Sequence, residues 1–95
     1  MATFDDWADA YNEVYDAIPA DADVACPNCG HHTLRLVFTG DLERYVGYGM
    51  FWCDTCLLGI SLCRVFIPDG AVVRDIHLDR EDRMPAIPNF RLVHP

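Results

Sequence analysis

Four of the five cysteines stand in two pairs of equal spacing, Cys26-Pro-Asn-Cys29 and Cys53-Asp-Thr-Cys56, with 23 residues between the pairs. Two residues between cysteines let one tight turn aim both sulfurs at one ion, and two such turns supply the four thiolates of a tetrahedral metal site. Pro27 presets the first turn, and Gly30 can take the positive φ that points backbone N–H groups at sulfur, where they stabilise thiolate charge. The ligand set is therefore Cys26, Cys29, Cys53 and Cys56. Zn2+ is the expected ion and iron the alternative, since tetrahedral sulfur suits both. Four protein ligands leave no position for water, so the site reads as structural, contributing folding energy and no hydrolytic chemistry.

Other residues offer weaker chemistry. Cys63, the unpaired fifth cysteine, reads as a buried small hydrophobe, with a reactive thiol as the alternative. His31 and His32 follow the first pair and read as surface or hydrogen-bonding groups, since four cysteines already complete a site. Asp75 and His77 would face one side of a strand, which makes an acid–base pair conceivable but isolated. Gly47-Tyr-Gly49 is too short for a phosphate loop and signals backbone crowding within a strand. No catalytic pattern stands out.

Thr3 followed by Asp5 and Asp6 marks a helix start. Phe4, Trp7, Ala8, Tyr11, Val14, Tyr15 and Ile18 then recur at helical spacing, giving an acidic amphipathic helix over residues 1–19 that ends near Pro19. Such a helix is marginal alone, so its aromatic stripe must cover a sheet or a partner. A polar linker, residues 19–25, leads into the first cysteine pair. Thr33 to Phe38 and Tyr45 to Trp52 read as strands around a turn at residues 39–44, and Ile60 to Ile67 as a third. Residues 71–78 offer a possible fourth strand, 79–83 a solvated turn, and 84–95 an extended tail with three prolines that wraps the domain or reaches another. Val46, Tyr48, Met50 and Trp52 share one strand face while Tyr45 and Phe51 share the other, so both faces want cover.

At Cys26-Pro-Asn-Cys29-Gly30 the chain resembles the zinc-ribbon superfamily, whose rubredoxin-like knuckles carry Cys-Pro-x-Cys-Gly. The second knuckle departs from that pattern, because Leu57 and Leu58 intervene before Gly59. The resemblance spans about residues 24–67 and implies a metal without implying an activity. The expected fold is a small α+β zinc ribbon over 1–95 as one domain: the N-terminal helix on a three- to four-stranded antiparallel sheet with two Cys-x-x-Cys knuckles.

Length and charge bound the function. A chain of 95 residues often needs a metal staple beside its core. Neither a secretory leader nor an apolar run of about 20 residues is present, so a cytoplasmic, membrane-free protein is expected. Residues 1–24 carry seven acids and no base, whereas the rest carry eight acids against seven arginines. Zinc ribbons often bind nucleic acid, and Tyr45, Tyr48 and Trp52 could stack on bases beside Arg35, Arg44 and Arg64. A net charge of -8 with no basic cluster argues against it. The expected role is an interaction or adaptor module whose partner is another protein or a second copy, with redox chemistry and nucleic-acid binding as alternatives.

Overall fold

The computed structural model describes residues 2–18, 20, 23–85 and 87–94, and the side chain of Arg80 lies outside that description. Helix α1, Phe4–Ala17, opens on a reciprocal cap. The Asp6 N–H donates to Thr3 Oγ1 at 3.3 Å, and the Thr3 N–H donates to Asp6 Oδ2 at 2.9 Å. That exchange occupies backbone donors that the first helical turn leaves free, and it sets carboxylates against the positive end of the helix dipole. Pro19, the expected stop, lies outside the described residues, as do Asp21 and Ala22 of the linker and Ala86 and Pro95 of the tail.

Strands β1 (Leu34–Asp41), β2 (Val46–Cys53), β3 (Leu58–Phe66), β4 (Val73–Asp75) and β5 (Arg91–Leu92) form one sheet in the order β4-β1-β2-β3-β5. The central strands are antiparallel, as expected, but the wholly antiparallel sheet of three or four strands is corrected to a mixed sheet of five. β4 lies parallel to β1, and β5 lies parallel to β3. The reason is the return path of the chain. After β3 it crosses to the far edge, where the Phe38 N–H donates to Val72 O and the Ile76 N–H to Gly40 O. It then comes back to the near edge, where the Arg91 N–H donates to Leu57 O and the Val93 N–H to Gly59 O.

The two sheet faces are covered by different segments. Trp7, Ala10 and Tyr11 of α1 bury against Phe51 and Ile60, together with Cys26 and Cys53. Trp7 and Tyr11 each meet the Phe51 ring edge to face, with centroids 5.9 Å apart. The Tyr15 hydroxyl donates to Phe66 O at 2.7 Å and ties the last helical turn to the end of β3. On the opposite face the C-terminal tail lies over β2, where Phe90 stacks on Trp52 at 5.6 Å. Tyr45 departs from its expected place on the inner face, because it sits in the turn with φ 56 and its N–H closes that turn on Asp41 O.

The crowding expected at Gly47 is present: a Cβ there would collide with the Thr39 carbonyl. β3 carries a bulge, with Cys63 and Arg64 standing opposite Tyr48 between the pairs Gly49↔Leu62 and Gly47↔Val65. Arg64 adopts φ 52 in that bulge. Cys63, expected to be buried, is instead exposed, because the extra residue turns it out of the ladder.

The two faces should differ in energetic weight. Phe51→Ala removes a fully buried ring and is expected to cost about 3–5 kcal/mol, whereas Phe90→Ala, on the half-buried outer face, should cost about 1 kcal/mol. Urea unfolding measures both, and a larger loss at Phe90 would invert this ranking.

Candidate metal centre

The first knuckle is built by its own backbone. The Cys26 N–H donates to His31 O, and the Gly30 N–H returns to Cys26 O at 2.9 Å with Gly30 at φ 78. This turn aims the Asn28 and Cys29 N–H groups at Cys26 Sγ, at 3.4 and 3.5 Å. The second knuckle repeats the move with a different residue. The Leu57 N–H donates to Cys53 O at 2.9 Å, and Leu57 itself takes φ 53. Leucine therefore occupies the conformation that glycine fills in the first knuckle. Gly59 has another task, since a Cβ there would collide with the Phe51 carbonyl and approach Trp52 Cα to 2.7 Å where β2 and β3 meet.

The turns bring all four sulfurs within 4.8 Å of one another. Cys26 Sγ lies 3.8 Å from Cys56 Sγ, and Cys29 Sγ lies 3.6 Å from Cys53 Sγ. A disulfide needs about 2.05 Å, so these are free thiols. A tetrahedron with metal–sulfur bonds of about 2.3 Å has edges of about 3.8 Å, which matches the two close pairs. The donor set is thus four sulfurs at ligand spacing, two buried and two partly buried.

The electrostatics are uneven. Burial raises the Cys53 thiol, but the Thr33 hydroxyl, the Cys56 and Thr55 N–H groups and the Cys29 thiol outweigh it and bring it down to about 6. Burial pushes Cys26 the other way, to about 12, against the Cys29 and Asn28 N–H groups. Neighbouring thiols can therefore hold one negative charge among them, and a dication lets the remaining protons leave. Binding of a metal by such a site would release protons and would weaken as pH falls.

Two latches beyond the cysteines hold the second knuckle. Thr33 accepts the Asp54 N–H on its carbonyl, and its Oγ1 lies 3.2 Å from Cys53 Sγ and 2.7 Å from Thr55 Oγ1. Asp54 accepts from Arg35 Nε and Trp52 Nε1, each at 2.8 Å, and the Arg35 guanidinium holds its carboxyl below the usual range. In the sequence Thr33 reads only as a strand start and Asp54 only as a residue between two cysteines. Asp54 and Thr55, a carboxylate and a hydroxyl between the two cysteines of the second pair, are the available signal; Thr33 carries none.

The remaining candidates lie elsewhere. His31 contributes its carbonyl to the first knuckle, and His32 Nδ1 meets Asp23 Oδ1 at 2.7 Å, so neither imidazole joins the sulfurs. Asp75 accepts the His77 backbone N–H, while His77 Nε2 faces Asp41 Oδ2 at 3.6 Å, so the conceived side-chain pair does not form. Trp52 is buried under Phe90, Arg35 is paired with Asp54, and Arg44 stands 4.0 Å from Asp41.

The strain at Leu57 is measurable. Leu57→Gly relieves about 1–2 kcal/mol of left-handed strain and gives back about 0.5–1 kcal/mol to the unfolded chain, so a net gain of about 0.5–1 kcal/mol is expected. Leu57→Ala keeps the Cβ and should give no gain; equal effects of the two in thermal unfolding would place the strain elsewhere. Compared with known proteins, the chain matches no family model, no curated protein and no solved structure.

Proposed function

We propose that Cys26, Cys29, Cys53 and Cys56 hold one structural zinc ion and that the ribbon so stapled is a docking module for an extended segment of another protein. The observation that carries the docking role is an open sheet edge. β4 covers β1 only from Phe38 to Gly40. The bonds from Phe38 N and to Gly40 O mark the even positions of β1 as facing that edge, so Leu34 and Leu36 present their N–H and C=O groups beyond the end of β4. A cavity of about 640 Å³ runs alongside, and Val14 of α1, Ile18 just beyond its end, Val72 and Pro88 are among its lining residues. An added strand would satisfy the backbone groups, and the apolar walls would receive its alternate side chains.

The metal reading is supported by the burial of Cys26 and Cys53 in the same cluster as Trp7, Tyr11 and Phe51, where an ion serves as scaffold. A protein partner is favoured over a nucleic acid by the pairing of Arg35 with a carboxylate, the burial of Trp52 and the net charge of -8. No helix among the described residues is long and apolar enough to cross a membrane.

Elemental analysis should find one zinc per chain and no visible absorption, whereas a coloured four-thiolate site would identify iron. Chelation or Cys26→Ser should unfold the ribbon, read by circular dichroism and Trp fluorescence. An unchanged melting curve after complete chelation would remove the scaffold role.

For the edge, Ile18→Asp with Val72→Asp places charges in the cavity lining without entering the core cluster. The double variant should keep its zinc and melting temperature while losing partners cross-linked to the native chain in its host. Undiminished cross-linking would exclude this edge, and dimerisation lost in the variant, read by sedimentation, would identify the occupant as a second copy.

A further inference from the structure

A second cavity, about 560 Å³, lies on the outer sheet face beneath the C-terminal tail, away from the four sulfurs. Its size is that of a small-molecule site. Thr39 and Arg74 are register partners on β1 and β4, and both line it. Thr39 is fully buried, yet its Oγ1 has no hydrogen-bond partner among the described residues. Among the described residues Arg74 Nε is likewise buried without a partner, and the guanidinium makes one long contact, from Nη1 to Pro85 O at 3.5 Å. Buried polar groups are ordinarily satisfied, so two orphans side by side in a cavity wall mark a place where a ligand supplies the missing partner.

The charge pattern says which kind of ligand. In a chain with 15 acids, Arg74 has no carboxylate within ion-pair distance among the described residues. Arg83 adds a second positive charge to the lining, held in place by Nε and Nη2 bonds to Leu78 O and Ile76 O. Glu81 contributes the one carboxylate among the lining residues, so the lining as a whole is cationic within an acidic protein. The remaining wall is apolar, with Met50 from the sheet and Ile87 and Phe90 from the tail. A guanidinium with a hydroxyl suits a carboxylate, and Met50 with Phe90 suits an apolar body. The single excess charge and the Glu81 carboxylate disfavour a dianionic phosphate.

We propose that this cavity binds a small organic carboxylate, its carboxyl group on Arg74 and Thr39 and its aliphatic or aromatic body between Met50, Ile87 and Phe90. Binding would join the tail to the sheet through the ligand, independently of whether the β1 edge docks a protein. The structure needs no covalent step for this role.

Titration of the metal-loaded full chain by two-dimensional NMR tests it, with phenylacetate and hexanoate as probes, 2-phenylethanol as the neutral control and inorganic phosphate as the anion without an apolar body. Saturable shifts at the Thr39 and Arg74 amides are expected with either carboxylate, at least tenfold weaker with the alcohol and with phosphate. Thr39→Val removes only an unpartnered hydroxyl, so the variant should melt no lower than the parent yet bind phenylacetate at least fivefold more weakly. Arg74→Gln should weaken it at least tenfold. Equal binding of the alcohol, equal binding of phosphate, unaltered affinity in Thr39→Val, or no saturation by either carboxylate at 10 mM would each overturn the proposal.

Discussion

Four thiols held within 4.8 Å of one another are an unstable arrangement without a cation, and the rest of the fold is organised by keeping them there. Each sulfur loses solvation as the core closes, and ionisation of one opposes ionisation of its neighbours. The local answer is a ring of donors: two backbone N–H groups on Cys26 and the Thr33 hydroxyl beside Cys53. The global answer is that Cys26 and Cys53 share a single buried cluster with Trp7, Tyr11, Phe51 and Ile60. Helix docking and knuckle formation are thus parts of one event. An ion that draws the sulfurs together also fixes the platform on which the helix lies, which is why the proposed metal is scaffold and not reagent.

The sheet then faces a problem common to small layered proteins, because both of its surfaces carry large apolar groups. A helix covers the inner surface with aromatic rings in edge-to-face contact. The outer surface is covered by a tail too rich in proline to form a helix, which gains purchase through the Trp52–Phe90 stack and two backbone bonds at the edge of β3. The two covers differ in kind. A helix satisfies its own backbone and buries a continuous stripe, while an extended segment touches the sheet at intervals. The cavity holding Thr39 and Arg74 is one such interval.

What the sequence revealed follows the range of the physics involved. The helix, its Thr3 cap, the cysteine clustering and the hairpin from Leu34 to Cys53 depend on spacing and local propensity, and these were legible. Strand direction at the edges was not. Val73–Asp75 and Arg91–Leu92 are too short to show a period, and parallel pairing leaves no mark on either segment. The exposure of Cys63 depended on a bulge, and that bulge depends on how β3 registers against Tyr48, a relation between strands. Leu57 in a left-handed conformation ran against its own propensity, so a sequence pattern looking for glycine found Gly59, whose actual reason is the contact of β3 with Phe51 and Trp52. Thr33 and Asp54 escaped notice because their partners arrive from other strands.

The brevity of β4 joins the two surfaces proposed here. The strand begins only after the Pro68-to-Gly70 turn and ends where Asp75 turns its carboxylate back onto the His77 N–H, which leaves three residues paired with β1. A longer β4 entering earlier would have paired with Leu34 and Leu36 and closed the edge. A β4 shifted in register would have removed Arg74 from beside Thr39. With the strand as it stands, its short upstream end leaves Leu34 and Leu36 beyond its pairing, and its middle residue sets over the outer face a guanidinium that has no carboxylate partner among the described residues. The two features are carried by different parts of one three-residue strand, and the same core that joins the sheet to the cysteine cluster fixes both of them.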